Sequence, residues 1–468
     1  MFGTRGLSGL TIDEVAAKAK IGKSSIYLRW PDKDSLLADA LRGIQGVDGP
    51  TAADDSRAAA DDGDNAKAPE APQYLLAHVH RRAELQAGAH MGKGDRADGR
   101  GDVVTTDPHP PGAGVRSARH REDIVRVAVL ASIAHRVPPR SYGPWEQVAS
   151  TIAEGLVARG HDVTLFATAD STTSGRLLAQ APTGYEEDAS VDAKVYEALH
   201  IAAVFERADE FDVISNQFDF LPLVFSRLTP TPVVTTIHGF SSERIMPVYR
   251  AYDDVAHYVA ISEADRHPDL TYAATIHHGI DAAGFHLGLG DGGYLLFLGR
   301  IHPDKGTATA IEVARRAGLP LVIAGVIQDD DYYRHEVEPH VDGTRVTYVG
   351  PVGPAERDRL LGGARALLHL IAFDEPFGLS VVEAMATGTP VIAYPRGSMA
   401  ELVRPGVSGF LVGDVAAAVA AVARIEGLDR AECRADAVDR FSSERMVDDY
   451  ERVFRRVIAD RGAVGARG

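Results

Sequence analysis

The sequence predicts an α/β protein built from two successive parallel-sheet halves. Three observations predict it: apolar runs of buried-strand type recur from Val125 onward, helical stretches with one apolar face separate them, and the series restarts near Tyr294. Strands and helices alternating in this way form βαβ units, and open parallel sheets place their ligand crevices at the carboxyl ends of strands.

The chain divides into five parts. Residues 1–47 carry a helix N-terminus at Thr11, with Glu14 three positions on as a capping box and Val15, Ala16 and Ala19 on one face; a short turn and a second helix follow. Residues 48–122 are crowded with Ala, Asp, Gly and Pro and show no sustained period, so they read as a disordered linker unable to bury enough apolar surface.

Residues 123–287 form the first α/β half. VRVAVLASIA is its opening strand; Trp145, Val148, Ala149, Ile152 and Leu156 recur at helical spacing, and Gly160 closes that helix. HDVTLFATA, DVISNQ, PVVTTIHG and HYVAIS continue the strands. Residues 288–440 form the second half, with strands at YLLFLGRI, PLVIAG, TRVTYVG, ALLHLIA and PVIAYP. Residues 441–468 make a last helix whose stripe of Met446, Val447, Tyr450, Val453, Phe454, Val457 and Ile458 must pack back across the domains.

Composition narrows the function. The 468 residues hold 49 Lys+Arg against 66 Asp+Glu, a net charge of −17 that argues against a dominant nucleic-acid binder. Cys433 is the only cysteine, so neither an internal disulfide nor a thiolate metal site can form. The N-terminus lacks the apolar region of a signal peptide, and no apolar run approaches the ~18–20 residues that span a bilayer. These features point to a cytoplasmic protein and leave peripheral contact with the inner face of the membrane open.

Two stretches carry chemistry. In FDEPFGLSVVEAMATGTPVIAYP, the turn Pro376-Phe377-Gly378 launches a helix, with Glu375 in the loop and Glu383 in the first turn. The amides of Phe377, Gly378 and Leu379, with the positive end of the helix dipole, offer an anion site. Carboxylates beside a phosphate would repel it, so Glu375 and Glu383 suit neutral hydroxyls, as a nucleotide sugar provides. In LGRIHPDKGT, Gly299 and Arg300 follow a strand, and Lys305 closes a tight loop ahead of a helix with Ile311 and Val313. Arg as a fork and Lys as a point charge can neutralise a diphosphate.

Together these stretches resemble the retaining nucleotide-sugar glycosyltransferases of family 4, whose fold is GT-B, two Rossmann-like domains facing a cleft. The resemblance runs from about Val125 to Asp460 and includes SYGPWEQVASTIAEGL, TTIHG and HHGID. It implies that Arg300 and Lys305 bind the donor diphosphate, Glu375 contacts the donor sugar, and Glu383 holds the ribose hydroxyls. It places His238 at the cleft near the sugar carbon under attack, and Gly143 in the loop facing phosphates and acceptor. Gly299 and the amides of Phe377, Gly378 and Leu379 complete the expected site. Many members have a second glycine where this chain has Pro144, which has no N–H to offer. Many have Asn where it has His278, whose contact with ligand stays open.

The expected partners are a nucleotide diphosphate sugar as donor and a sugar, lipid or small molecule as acceptor, with no cofactor and no metal. Asp329-Asp330-Asp331, the rival cation site, reads as a solvated loop. Residues 1–47 resemble the helix-turn-helix of TetR-type regulators, which would set Lys23, Ser24, Ser25 and Tyr27 against DNA. Lys20 stands where that turn usually has Gly, and no helical dimerisation half is evident downstream. A DNA-binding regulator is therefore the alternative function, and a nucleotide-sugar epimerase on the same fold is a third. A nicotinamide enzyme is disfavoured because no G-x-G-x-x-G follows the strand at 125–134.

Overall fold

The computed structural model describes residues 124–140, 143–239 and 243–465. The helix-turn-helix and linker expected in residues 1–122 lie outside the described residues.

The first domain contains β1 (Arg126–Ala131), α1 (Pro144–Ala158), β2 (Asp162–Ala167), β3 (Arg176–Ala179), α2 (Ala193–Phe205), β4 (Val213–Gln217), β5 (Val233–Ile237), α3 (Met246–Tyr252), β6 (His257–Ala260) and β7 (Tyr272–Thr275). Its seven strands are all parallel, in the order β3-β2-β1-β4-β5-β6-β7. Every residue of β1 after Arg126 is buried, because helices cover both faces of the sheet. Gly143 caps α1 and Pro144 opens it with φ already set for a helix, while Gly160, at φ 88, closes it.

The second domain contains β8 (Leu295–Leu298), α4 (Thr307–Ala317), β9 (Leu321–Ala324), β10 (Val346–Gly350), α5 (Pro354–Gly363), β11 (Ala366–His369), α6 (Leu379–Ala386), β12 (Val391–Ala393), α7 (Met399–Leu402), β13 (Gly409–Leu411), α8 (Val415–Val422) and α9 (Arg430–Phe441). The sheet order β10-β9-β8-β11-β12-β13 is again all parallel. In each sheet the strand order reverses beside the first strand, at β1–β4 and at β8–β11, and a crevice opens outside the carboxyl ends there.

The final helix α10 (Ser443–Gly465) leaves the second domain and packs on the first. Met446, Val447, Tyr450, Val453, Phe454 and Val457 enter one core cluster with Val148, Ile152 and Leu156 of α1. Gly155 admits this close approach, since a Cβ there would stand 2.5 Å from Val447 Cγ2. The outgoing and returning crossings between domains pair with each other: Ile280 N–H donates to Phe441 O at 2.9 Å, and Ser443 N–H to Ile280 O at 2.8 Å.

The structure differs from the sequence reading in two ways. Strands β3, β7 and β13, of four, four and three residues, were not anticipated. All three lie at sheet edges, where less of a strand is covered: β3 buries one side chain and β7 none. Trp145, assigned to the core stripe of α1, is only half-buried and instead stacks on His238, with centroids 5.3 Å apart. Its neighbour Glu146 is the buried residue, accepting a bond from His135 N–H at 3.3 Å.

The packing of α10 predicts that Phe454→Ala, which empties a fully buried ring site, lowers stability by about 3–5 kcal/mol. Urea unfolding followed by circular dichroism measures it.

Candidate active site

Two loops leave the carboxyl ends of β8 and β11, the strands on either side of the second domain's switch point. The first carries Gly299, Arg300 and Lys305; the second carries Phe373 and Glu375. Gly306, at φ 72, ends the first loop, and a Cβ there would strike Leu370 O, so only glycine lets the two loops meet. Ala372 N–H donates to Asp304 O at 2.8 Å, tying them together.

Lys305 Nζ lies 2.6 Å from Glu375 Oε2 and 4.5 Å from the centre of the Phe373 ring, with both members of the pair largely buried. Burial lowers the Lys305 ammonium from its ordinary value, and the Glu375 charge partly restores it. Burial alone would raise the Glu375 carboxyl; the His369 imidazole and the Lys305 ammonium overcome it and hold Glu375 at about 2. His369, the last residue of β11, stands with Nε2 3.6 Å from the same carboxylate oxygen. Arg300 Nη1 donates to Gln328 Oε1. Gly299 N–H donates to Ala324 O at 3.0 Å, carrying the β8–β9 pairing one residue beyond the strand.

The helix α6 begins at Leu379 with Gly378 as its N-cap. Its outward-pointing first-turn amides are therefore those of Leu379 and Ser380, while Val381 N–H turns back to Gly378 O at 3.0 Å. The amides of Phe377 and Gly378 precede the first turn, and the Phe377 ring is buried against His277, His278 and Phe441. Glu383 falls in the second turn of α6 rather than the first, because the helix starts only after Gly378. Its Oε1 lies 3.4 Å from Arg357 Nη2; burial raises the carboxyl, and Arg357 opposes that shift.

In the first domain, Gly143 stands at φ 153 after β1, where a Cβ would press on Pro139 Cβ at 2.8 Å. His238 follows β5 and is buried, with Nε2 3.0 Å from Gln217 Oε1 and Nδ1 3.4 Å from His278 Nε2. Burial, reinforced by His278, holds its pKa well below the ordinary histidine value. Burial likewise lowers His278 to about 3.

Loops of the two domains meet around Pro376-Phe377. Ser262 Oγ donates to Pro376 O at 2.7 Å, a Cβ on Gly239 would reach within 2.9 Å of Pro376 Cγ, and His278 packs edge-on to Phe377 at 5.1 Å. The structure thus brings the His238 loop against the turn that launches α6, and Glu375 against Lys305. Lys23, Ser24, Ser25 and Tyr27 lie outside the described residues.

Sequence reading missed Gln217, His369, Arg357 and Gln328. Gln217 and His369 each end a strand, so the carboxyl-end rule marks them; Arg357 and Gln328 sit in stretches with no local pattern. Asp329 caps a helical turn by accepting from Tyr332 N–H at 2.9 Å, and Arg334 pairs with Asp331. Among the described residues no group of three or more His, Cys, Asp or Glu is placed to hold a metal ion.

The family models of glycosyltransferase family 4 and of glycosyl transferases group 1 match residues 145–283 and 285–438, and that of bacterial regulatory proteins of the tetR family matches residues 1–40. D-inositol 3-phosphate glycosyltransferase of Geodermatophilus obscurus is 31% identical over 202 residues, covering 37% of this chain and 42% of that protein. The enzyme of the same name from Mycolicibacterium smegmatis is 31% identical over 223 residues, covering 43% and 50%. The chain therefore spans half or less of the length of these curated relatives. Among solved structures, AviGT4, a glycosyltransferase involved in avilamycin A biosynthesis, aligns with TM-score 0.56 and 25% identity over 72% of this chain and 98% of that one. The sucrose-phosphate synthase of Thermosynechococcus elongatus aligns with TM-score 0.58 and 19% identity over 72% and 100%.

The buried pair has a pH signature. Glu375 is depressed, so its stabilising contribution is intact above about pH 4.5, where the unfolded carboxylate is also ionised, and is lost as pH falls toward about 2. Lys305→Met leaves that buried carboxylate without its ammonium partner, lowering stability at neutral pH by about 3 kcal/mol and moving the acid limb to higher pH; urea unfolding across pH reads both.

With its two parallel-sheet domains, matched in order by both family models, the described chain has the GT-B fold and carries the paired domains of the family 4 and group 1 glycosyltransferases.

Proposed function

We propose that this chain transfers a hexosyl group from a nucleotide diphosphate sugar to a hydroxyl of a sugar, lipid or small-molecule acceptor, retaining the anomeric configuration. One observation carries the reading: Arg300, Lys305 and Glu375 leave the two strands flanking a switch point, beside the N-terminus of α6. That edge joins cations for a diphosphate to carboxylates for hydroxyls.

In the proposed reaction the bond from the anomeric carbon to the phosphate oxygen breaks, and its electron pair leaves with the nucleoside diphosphate. The acceptor oxygen bonds to the same face of the sugar, and its proton passes to the departing phosphate oxygen. No protein nucleophile is needed, so catalysis rests on positioning and charge stabilisation. Arg300, Lys305 and the Leu379 and Ser380 amides neutralise the leaving group, which removes the need for a metal. Lys305 would share its ammonium between Glu375 and phosphate, and a Glu375 oxygen would accept a bond from a donor-sugar hydroxyl. Glu383, paired to Arg357 one turn further along α6, would hold the ribose.

Arg300→Ala and Glu375→Ala should each lower kcat/KM by about 10²–10³, the range for removing one charge-stabilising group. Steady-state assays with a panel of nucleotide sugars measure this, and unchanged turnover in both variants would overturn the assignment. Activity should survive EDTA; loss restored by magnesium would overturn the metal-free reading. The anomeric configuration of the product by proton NMR tests retention.

A second reading, duplex recognition by Lys23, Ser24, Ser25 and Tyr27, is favoured by the tetR-family match over residues 1–40. A titration of labelled duplex DNA with the full chain decides it: salt-sensitive binding abolished by Tyr27→Ala supports it, and no binding at low salt overturns it.

A further inference from the structure

Behind His238 a line of buried hydrogen bonds runs through the first sheet to the last helix. Gln217, which ends β4, donates from Nε2 to Ser215 Oγ at 3.0 Å and to Thr236 Oγ1 at 2.9 Å. Its Oε1 faces His238 Nε2 at 3.0 Å, and Thr236 Oγ1 meets the Tyr450 hydroxyl of α10 at 2.8 Å. On the far side, His238 Nδ1 faces His278 Nε2 at 3.4 Å. Ser215, Gln217, Thr236 and Tyr450 are fully buried.

The arrangement dictates where the protons sit. With both amide hydrogens of Gln217 given to hydroxyls, its oxygen can only accept, so His238 carries its proton on Nε2. His238 Nδ1 is then a lone pair, and His278 must donate to it from Nε2. His278 Nδ1 is left as a buried lone pair without a hydrogen-bond partner. Reversing the amide would reverse every step and end the line on a buried His278 N–H with no acceptor. Orphaned buried donors are the rarer and costlier case, so the first arrangement stands.

We propose that Gln217 is a positioning residue that fixes His238 as its neutral Nε2–H tautomer, so that the ring, with both nitrogens engaged inside the protein, stays uncharged and exchanges no proton with the substrate. The proposal rests on reading the cleft as a site of glycosyl transfer. Tyr450 supports Gln217 through Thr236, which joins the α10 packing to the cleft. The Trp145 ring, stacked at 5.3 Å, holds the other face of His238. Among the described residues the titratable groups facing this line are His278, His277 with Glu401 at 3.0 Å from its Nε2, and Tyr450. His238 thus lacks the carboxylate partner that would stabilise an imidazolium.

Long-range proton–nitrogen NMR of protein labelled at histidine tests the proposal without substrate. Wild-type His238 should show protonated Nε2 and bare Nδ1 from about pH 6 to 8, the range in which an ordinary imidazole titrates. Gln217→Glu sets a carboxylate against Nε2–H, so His238 should begin to titrate in that range and transfer activity should gain a pH limb absent from wild type. Gln217→Leu should give a mixture of tautomers and lower kcat about tenfold, with donor KM within about twofold. A wild-type His238 protonated on Nδ1 overturns the proposal, as does an unchanged tautomer in folded Gln217→Leu. If neither Gln217 variant folds, the wild-type spectrum decides alone. A locked Nε2–H tautomer in a protein with no transferase activity would overturn the proposed function and leave the lock standing.

Discussion

A charge can leave water only if another charge or a set of dipoles receives it. The Lys305–Glu375 pair meets that constraint at the point where the two sheet-edge loops of the second domain converge. Its formation requires β8 and β11 side by side, a glycine at 306 so that the loops can touch, and Phe373 beneath the ammonium. Neither side chain could be held this dry alone. On the proposed reading, a diphosphate arriving beside the pair would find a cation already desolvated and fixed, and the α6 amides would need no reorganisation to receive it.

The cleft also depends on how the chain returns. A two-domain protein joined by one crossing has a single hinge, whereas this chain crosses twice, and its crossings hydrogen-bond to each other at Ile280 and Ser442–Ser443. Glu401 adds a polar clamp: its carboxylate accepts from the N–H groups of Glu263 and Ala264 at 2.9 and 2.8 Å and pairs with His277. The ring series Trp145, His238, His278 and Phe377 runs from the first domain to the second at centroid spacings of 5.1–5.3 Å. Because α10 supplies both the apolar stripe over α1 and the Tyr450 hydroxyl, one helix fixes the packing and the polar line together.

Much of this was legible from residue patterns, and the limits are physical. Apolar strands such as β1 and β8 and the stripe of α10 announce themselves, because burial on two faces or one leaves its mark in the sequence. Edge strands such as β3 and β7, which bury one side chain and none, leave no such trace. Gly306 and Lys305 stood out because a glycine after a cation at a strand end marks a tight loop. The Lys305–Glu375 contact joins positions seventy residues apart and has no local trace. Trp145 was misplaced for a related reason: a helix-periodic aromatic can face a cleft as well as a core, and only the position of His238 decides between them. The helix start at Gly378 moved Glu383 by a turn, since a positive φ at a cap is invisible to a spacing argument.

The overall charge of −17 adds a last constraint. A net negative surface repels a nucleotide sugar at long range, but that repulsion fades beyond a Debye length of about 8 Å at physiological salt. Within the cleft the field is set by groups removed from water, where screening is weak. There Lys305 and Glu375 cancel and Arg357 offsets Glu383, so on the proposed reading the leaving group would meet Arg300 and the dipole of α6 rather than uncompensated carboxylates. An acidic protein can in this way present an anion site, because the charges that count are those the fold has desolvated, not those it displays.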